Sequence, residues 1–404
     1  MKVIIVGAGP CGLLLAILLQ KDGIDVTVLD GADKLDDQPR AILYGPSATV
    51  ELERAGVFEQ IRTEGYSPTS YSWRTPDSKR ACKLSMHDVP ESDVIRPAMM
   101  GLGRVIEILY DRATASGVPV TFQHLVTGLG QDEGKAWVDV QIGVDGHERL
   151  EADNIVGCDG GKSTIRRTLL GKDGFPGMTW DKQLISTNVY YDFDKYDWDD
   201  ANFTMHPTNG FLAARITKDG LWRVTYSDTP GLAKEEYEKR LPMRYKEILP
   251  GHPEPDQYKF VSLSPYRVHQ RCATKFRVGR FLLVGDAAHL CSPFGGLGLP
   301  GGIDDAGGLY DCLSGIHKGL ADDTILDIYS AKRREKYLAI IDPTSAANIR
   351  RLFTENVEET IATDPIFELA RKAETDRAFN YALARGDLSM QYDFTQHYRE
   401  AIRS

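Results

Sequence analysis

The sequence predicts an α/β fold in which a parallel-sheet domain is interleaved with a β-rich second domain. Residues 3–6, a glycine-rich turn and an apolar segment up to residue 20 indicate the strand, turn and helix of a βαβ unit. Two later apolar runs, 154–158 and 281–284, have the continuous hydrophobicity of strands that are buried on both faces. Between those runs, residues 179–273 are rich in strand patterns, so a second domain interrupts the first.

Composition excludes several classes of protein. The 404 residues, 42% hydrophobic and 26% charged, predict about two or three globular domains. The net charge of −10 and the lack of a basic block argue against nucleic acid as a partner. The six cysteines lack metal-ligand spacing, which favours a reduced, cytoplasmic setting without a metal site. Glycines interrupt the apolar run that follows Lys2, so we expect neither an export signal nor a membrane span.

The remaining elements follow in chain order. The predicted strands are 26–29, 118–122, 137–144, 184–193, 210–217 and 221–227, and the predicted helices are 46–64 and 104–115. Asp219-Gly220 indicates a tight turn between the last two strands. From Ile303 onward the chain is predicted to be mostly helical.

The first motif is formed by Gly7, Gly9 and Gly12. This spacing allows a tight turn, close approach of the backbone to a pyrophosphate, and close packing of the helix, whose N-terminus favours phosphate. The pattern alone is weak evidence, because 38 glycines make chance matches common. Asp30 strengthens it, since an acid at the end of the second strand can accept both hydroxyls of an adenosine ribose. An ordinary strand-end turn residue is the less favoured alternative for Asp30.

Two later strands also end in acidic turns. Asp159-Gly160 leads into a helix, and on its own this motif indicates only an ordinary strand–turn–helix. Gly285-Asp286 places a carboxylate where it can reach a ribityl hydroxyl. Residues 295–302 then contain five glycines in eight positions. We expect a loop that lies flat against a planar ring and enters a helix near Ile303, whose dipole favours negative charge.

In this order and at these separations, the three motifs resemble those of the class A FAD-dependent aromatic monooxygenases of the p-hydroxybenzoate hydroxylase type. The resemblance covers most of residues 1–345, and the sequence of residues 283–352 is similar to that of the fungal secondary-metabolism branch of the family. It implies a Rossmann-like FAD-binding domain interleaved with a β-sheet substrate domain, followed by a helical C-terminal segment. The expected bounds are 1–70, 98–178 and 274–345 for the first domain, 71–97 and 179–273 for the second, and 346–404 for the segment.

The resemblance also implies which residues hold FAD. They are Gly7, Gly9, Gly12, Asp30, Arg40, Arg104, Asp159, Asp286, Gly298 and Leu299. For Arg40 and Arg104 the alternative is a solvated surface arginine. Pro300 stands where the family often has Asn or Thr, and Ser292 where it often has a second proline. Because proline offers neither an N–H nor a side-chain hydrogen bond, ring contacts there must come from neighbouring residues.

The implied reaction is that of the flavin. NADPH or NADH reduces FAD, O2 adds to give a C4a-hydroperoxyflavin, and an electron-rich phenolic or indolic natural product is hydroxylated. The protein must exclude water and make the substrate more nucleophilic, usually as a phenolate. No second glycine motif is available for the nicotinamide, which fits transient binding in the flavin cleft.

The β-rich domain should supply the groups that act on the substrate. Alternation along 184–193 places Tyr191 on one face of the strand and Asn188 with Tyr190 on the other. Charged residues inside apolar runs are unusual enough to suggest function, although a snorkelling edge arginine is an equal alternative. We therefore expect Tyr191, Arg215 and Arg223 to be catalytic, and Tyr190, Tyr44 and Pro293 to line the substrate or the ring.

Other functions stay open from the sequence. Epoxidation or Baeyer–Villiger oxygenation could occur on the same fold. A flavoprotein that only senses or docks is an alternative from another class. A simple NAD(P) dehydrogenase is disfavoured by the late Gly285-Asp286 motif. The helical tail could serve a homodimer.

Overall fold

The computed structural model describes residues 1–36, 38, 40–90 and 92–399. Its strands are β1 (Lys2–Val6), β2 (Asp25–Leu29), β3 (Leu43–Tyr44), β4 (Ser70–Arg74), β5 (Arg80–Ser85), β6 (Ala98–Met99), β7 (Val120–Thr121), β8 (His124–Gln131), β9 (Ala136–Ile142), β10 (Gly146–Ala152), β11 (Asn154–Gly157), β12 (Gly177–Tyr190), β13 (Ala201–Thr204), β14 (Phe211–Arg215), β15 (Leu221–Asp228), β16 (Lys259–Cys272), β17 (Arg277–Val278), β18 (Phe281–Leu283) and β19 (His289–Leu290). Its α-helices are α1 (Pro10–Lys21), α2 (Pro46–Ala55), α3 (Phe58–Glu64), α4 (Leu102–Ala115), α5 (Thr164–Leu170), α6 (Lys234–Ile248), α7 (Gly298–His317), α8 (Ile325–Lys336), α9 (Asp342–Leu352), α10 (Val357–Thr363), α11 (Pro365–Thr375) and α12 (Arg377–Ala384).

A six-stranded sheet in the order β17-β18-β11-β1-β2-β7 organises the first layer. Strands β18, β11, β1, β2 and β7 are mutually parallel, as the apolar runs predicted. Their carboxyl ends therefore meet at one edge, which is where ligands bind in open α/β sheets. All three predicted motifs begin at that edge, because Gly7, Asp30, Asp159 and Gly285 come within two residues of a strand end.

An eight-stranded sheet in the order β19-β16-β12-β15-β14-β13-β4-β5 forms the second layer. One face of its centre packs against α6 through an aromatic core that includes Trp222, Tyr226 and Tyr245. The other face turns toward the first layer, where Leu212 and Ala214 contact the segment around Leu43. The predicted α/β fold class is confirmed, and the chain crosses repeatedly between the two layers.

Three predicted elements differ clearly from the structure. The strand predicted over 184–193 belongs to β12, which begins at Gly177 and ends at Tyr190. The single helix predicted over 46–64 is two helices, because Gly56 adopts a left-handed φ of 75° and ends α2. The predicted loop over 295–302 is a loop only in its first part, since α7 starts at Gly298 rather than near Ile303. Pro300 allows this early start, because a residue in the first turn of a helix needs no N–H for the helix.

The described part of the C-terminal segment, residues 346–399, is mostly helical, and its α11 packs on the edge of the second sheet. Phe367 and Ala370 of α11 bury Trp73 and Cys82 of the β4–β5 hairpin. The domain bounds assigned from the sequence stay a prediction. Within the described ranges, no helix has the length and apolar character needed to cross a membrane.

Candidate active site

The glycine turn after β1 is fixed by steric contacts. Gly7 has a left-handed φ of 116°, and a Cβ there would lie 2.3 Å from the carbonyl oxygen of Cys158. A Cβ on Gly12 would lie 2.1 Å from the carbonyl oxygen of Gly7. A Cβ on Gly9 would meet nothing within 4 Å. Gly7 and Gly12 therefore serve the packing of the turn, whereas Gly9 leaves open space in front of the N-terminus of α1.

Two acidic residues border this space from neighbouring strands. One Asp30 carboxylate oxygen accepts a hydrogen bond from the Ala8 N–H at 2.8 Å, which ties the end of β2 to the glycine turn. Asp159 Oδ2 accepts the N–H of Thr164 at 2.7 Å and so caps α5. Its Oδ1 is buried and has no hydrogen-bond partner among the described residues. Burial raises the pKa of the Asp159 carboxyl.

Arg166 links the second motif to the third. Its Nη1 donates to the carbonyl oxygen of Ala287 at 2.9 Å, and its Nη2 donates to that of Gly161 at 2.7 Å. The side chain of the neighbouring Asp286 is exposed to solvent, although protein atoms surround the rest of it. Burial raises the pKa of the Asp286 carboxyl against the opposing charges of His289, Arg40 and Arg166. Asp286 thus presents its carboxylate to solvent at the carboxyl edge of the first sheet, and the space between it and the glycine turn forms a groove.

A buried ionic network supports the floor of the groove, and sequence reasoning missed it. Asp305 Oδ2 accepts the Gly285 N–H at 3.0 Å and lies 2.7 Å from His289 Nε2. Asp305 Oδ1 accepts from Arg333 Nε at 2.7 Å, and Arg333 Nη2 donates to the Gly301 carbonyl oxygen at 3.1 Å. The network therefore joins the Gly285-Asp286 turn to the first turn of α7. His289 follows this motif closely in sequence and was the one available signal.

The glycine-rich segment lies between the groove and the second sheet. A Cβ on Gly296 would lie 2.9 Å from the Leu43 side chain, so the loop packs closely on the strand that precedes α2. Gly298 and Leu299 remain partly open at the start of α7, and Pro293 is exposed. Phe294 is buried against Leu184 on the facing strand of the second sheet.

Arg223 lies on the sheet face that this loop covers. It is only 4% exposed. Its Nε donates to Asn188 Oδ1 at 2.8 Å, and its Nη1 donates to the Arg40 carbonyl oxygen. No carboxylate pairs with it among the described residues. The phenols of Tyr44 and Tyr266 lie close enough to interact with its charge, and burial lowers its pKa to about 10.

These features fit FAD. Gly9 leaves space for a pyrophosphate at a helix N-terminus, and Asp30 and Asp286 offer carboxylates along the groove. The first turns of α7 pack against the Gly285 turn, so the N-terminal dipole of α7 lies beside it. The unpaired Asp159 Oδ1 is a further hydrogen-bonding group at the wall of the groove.

Comparisons with known proteins agree with this geometry. A family model described as FAD binding domain matches residues 1–344. The chain belongs to this family. Para-nitrophenol 4-monooxygenase of a Pseudomonas species is 38% identical over 93% of this chain and 92% of that protein. 6-hydroxy-3-succinoylpyridine 3-monooxygenase of Pseudomonas putida is 35% identical over 89% and 90%. The crystal structure of a p-nitrophenol 4-monooxygenase from Pseudomonas putida superposes with a TM-score of 0.87 at 33% identity, covering 99% and 98% of the two chains.

The sequence predictions of an FAD cofactor and of an FAD-dependent monooxygenase are therefore confirmed. NADPH or NADH is the reductant typical of such enzymes. Both curated relatives named above are bacterial, so the predicted fungal branch stays a prediction.

The two arginines assigned to the flavin by resemblance differ in their surroundings. The Arg40 guanidinium is exposed and lies 3.0 Å from the Asp36 carboxylate. Arg104, at the start of α4, is held by Glu64 at 2.8 Å and Glu107 at 2.9 Å on the surface.

The predicted catalytic residues of this FAD enzyme do not lie together. Tyr191 is buried in the aromatic core beneath the sheet, and its hydroxyl donates to the Pro250 carbonyl oxygen. Arg215 stacks on Trp222 and pairs with Asp194. The register of β14 and β15 puts Arg215 on the sheet face opposite Arg223. Tyr191 follows the last residue of β12 and packs in the core of that same face. Both residues line a surface cleft of about 490 Å³ at the end of the sheet, together with Tyr190. Arg223 and Tyr44 are the predicted residues that lie between the second sheet and the FAD-binding layer.

Proposed function

We propose that the enzyme hydroxylates a para-substituted phenol at the ring carbon that carries the substituent, using O2 and NADPH or NADH. The observation that carries this proposal is Arg223. A buried cation without an anion is costly, and a phenolate would offset that cost. Leu43 and Phe294 cover the same sheet face from the flavin side, so a ring bound there would lie between Arg223 and the cofactor.

The names of the two relatives support the position of attack. Para-nitrophenol 4-monooxygenase adds oxygen at position 4, which bears the nitro group. 6-hydroxy-3-succinoylpyridine 3-monooxygenase adds oxygen at position 3, which bears the succinoyl group and lies para to the hydroxyl. Such a carbon has no hydrogen to lose, so the substituent must leave instead. From a 4-nitrophenol, nitrite would leave with the bonding electron pair and a quinone would remain.

The residues of the chain have separate tasks in this proposal. Bound FAD supplies the activated oxygen once a nicotinamide has reduced it. Arg223 holds the phenolate oxygen and so keeps electron density on the ring, including at the para carbon. Leu212 and Ala214 on the sheet, facing Leu43, exclude water from the ring.

The test uses a matched pair of arginine variants in the holoenzyme. With 4-nitrophenol, NAD(P)H oxidation should be stimulated and nitrite released in equal amount. Arg223→Met should lower kcat/KM by about 100-fold, because a buried charge contact worth about 3 kcal/mol is lost. Arg215→Met removes the same charge from the opposite face and should change kcat/KM by less than about threefold.

Three outcomes would contradict the proposal. A product that keeps its nitro group would indicate hydroxylation at an unsubstituted carbon, and an inserted ring oxygen would indicate Baeyer–Villiger oxygenation. A yellow protein that NAD(P)H cannot reduce would favour a sensor or docking role.

Three further parts of the proposal rest on the sequence. These are the interleaved two-domain division, a cytoplasmic location, inferred from the cysteines, and a homodimer formed through the C-terminal segment. Light scattering of the full chain at micromolar concentration would test the dimer, since a monomeric mass contradicts it.

A further inference from the structure

The partner of Arg223 on the neighbouring strand is uncharged. Asn188 stands directly opposite Arg223 in the β12–β15 ladder, and its Oδ1 accepts from Nε at 2.8 Å. The other acceptor is the carbonyl oxygen of Arg40, which is also neutral. Both partners fix the orientation of the guanidinium without cancelling its charge.

Elsewhere in the molecule, a buried arginine is paired with a carboxylate. Arg333 is as deeply buried, and Asp305 neutralises it at 2.7 Å. Asparagine and aspartate have nearly the same shape, so a carboxylate at position 188 would neutralise Arg223 in the same way. Because position 188 carries an amide and not a carboxylate, the positive charge of Arg223 is not neutralised.

The groups that face Arg223 from the other packed elements are also neutral. Tyr44 on β3 and Tyr266 on β16 are phenols, and burial raises the pKa of each above its usual value. The nearby Arg40 side chain points to Asp36 at the surface. Among the described residues, nothing on β3, β12, β15 or β16 supplies an anion to Arg223.

We propose that Asn188 is a positioning residue that holds Arg223 in place while leaving its positive charge available to the phenolate of the substrate. This inference rests on the proposed function and explains why Arg223 keeps a net positive charge. We expect the protein to lower the pKa of the bound phenol, and the size of that shift to depend on Asn188 being uncharged.

The experiment measures the ionisation of a bound phenol rather than turnover. The oxidised holoenzyme is titrated with 4-nitrophenol at a series of pH values, and difference spectra follow the phenolate, which absorbs at longer wavelength than the phenol. The wild type should bind phenolate below the pH at which the free phenol ionises. Asn188→Asp should raise the apparent pKa of the bound phenol by about one unit, a tenfold change, because the introduced carboxylate then pairs with Arg223.

A second variant separates charge from shape. Asn188→Ala removes the hydrogen bond but adds no charge, so KM should rise while the apparent pKa of the bound phenol moves far less than in Asn188→Asp. Equal shifts in both variants, or no shift in a folded Asn188→Asp holoenzyme that still binds phenol, would overturn the inference alone. A change in flavin absorbance or FAD affinity without a change in the phenol would also overturn it, since Arg223 would then serve the cofactor. If the wild type binds no phenol, the proposed function fails as well.

Discussion

Asp305→Asn is the substitution that most directly tests the buried floor of the FAD groove. In the native protein both carboxylate oxygens accept hydrogen bonds, one from Arg333 and the other from the Gly285 N–H beside His289. An asparagine side chain has one oxygen and one NH2 group. Whichever way it turns, a donor faces a donor, either at Arg333 or at Gly285.

The magnitude follows from burial. Asp305 and Arg333 have side chains that are 0% and 1% exposed, so the variant leaves an uncompensated charge in the interior. Breaking such a pair costs about 3–5 kcal/mol. Although burial opposes ionisation, His289 and Arg333 hold the pKa of Asp305 below its usual value, so the carboxylate is charged at neutral pH. The loss should therefore persist down to the pH at which Asp305 would protonate.

The assay is urea unfolding followed by tryptophan fluorescence, together with FAD titration of the refolded apoprotein. We expect a loss of about 3 kcal/mol and weaker FAD binding, because the Gly285-Asp286 turn loses its anchor. Asp139→Asn serves as the control, since Asp139 forms a comparable pair with Arg149 on the exposed surface and should change neither property. A stability loss below about 1 kcal/mol in Asp305→Asn would refute the assignment of the network as a support.

Three further predictions concern separate parts of the molecule. Gly9→Ala should keep its stability but weaken FAD binding at least about tenfold in a fluorescence titration, because only the ligand would approach the added Cβ. Gly12→Ala should unfold at a lower urea concentration, because the added Cβ would meet the Gly7 carbonyl oxygen. Tyr191→Phe should lose about 1 kcal/mol of stability yet retain kcat, since its hydroxyl bonds a backbone carbonyl away from the groove; a large fall in kcat would restore its predicted catalytic role. Burial raises the pKa of Glu51 to about 7, so the folded state holds a proton that the unfolded state releases above about pH 4.3. The wild type should therefore lose up to about 3 kcal/mol relative to Glu51→Gln as pH rises from about 4.3 to 7, and a pH-independent difference would contradict this.

Local features of the site were predictable from the sequence. Gly7, Gly9 and Asp30 stand at fixed distances from a strand and a helix, and their geometry depends mainly on residues within the same βαβ unit. The apolar runs that form β11 and β18 were visible for the same reason, because a strand buried on both faces needs continuous hydrophobicity. The start of α7 was misjudged, because a run of glycines carries no signal for where a loop ends.

Face assignments required the tertiary structure. Arg215 and Arg223 look equivalent as charges in apolar strands, but the register of the β14–β15 hairpin puts them on opposite faces. The same holds for the network of His289, Asp305 and Arg333, whose members come from three separate elements.

The sequence by itself therefore determined the cofactor, because FAD recognition depends on backbone turns and carboxylates that short local patterns encode. Only the tertiary structure decided which arginine faces the FAD-binding layer, because strand register and packing set the face of each side chain, and both depend on residues far apart in the chain.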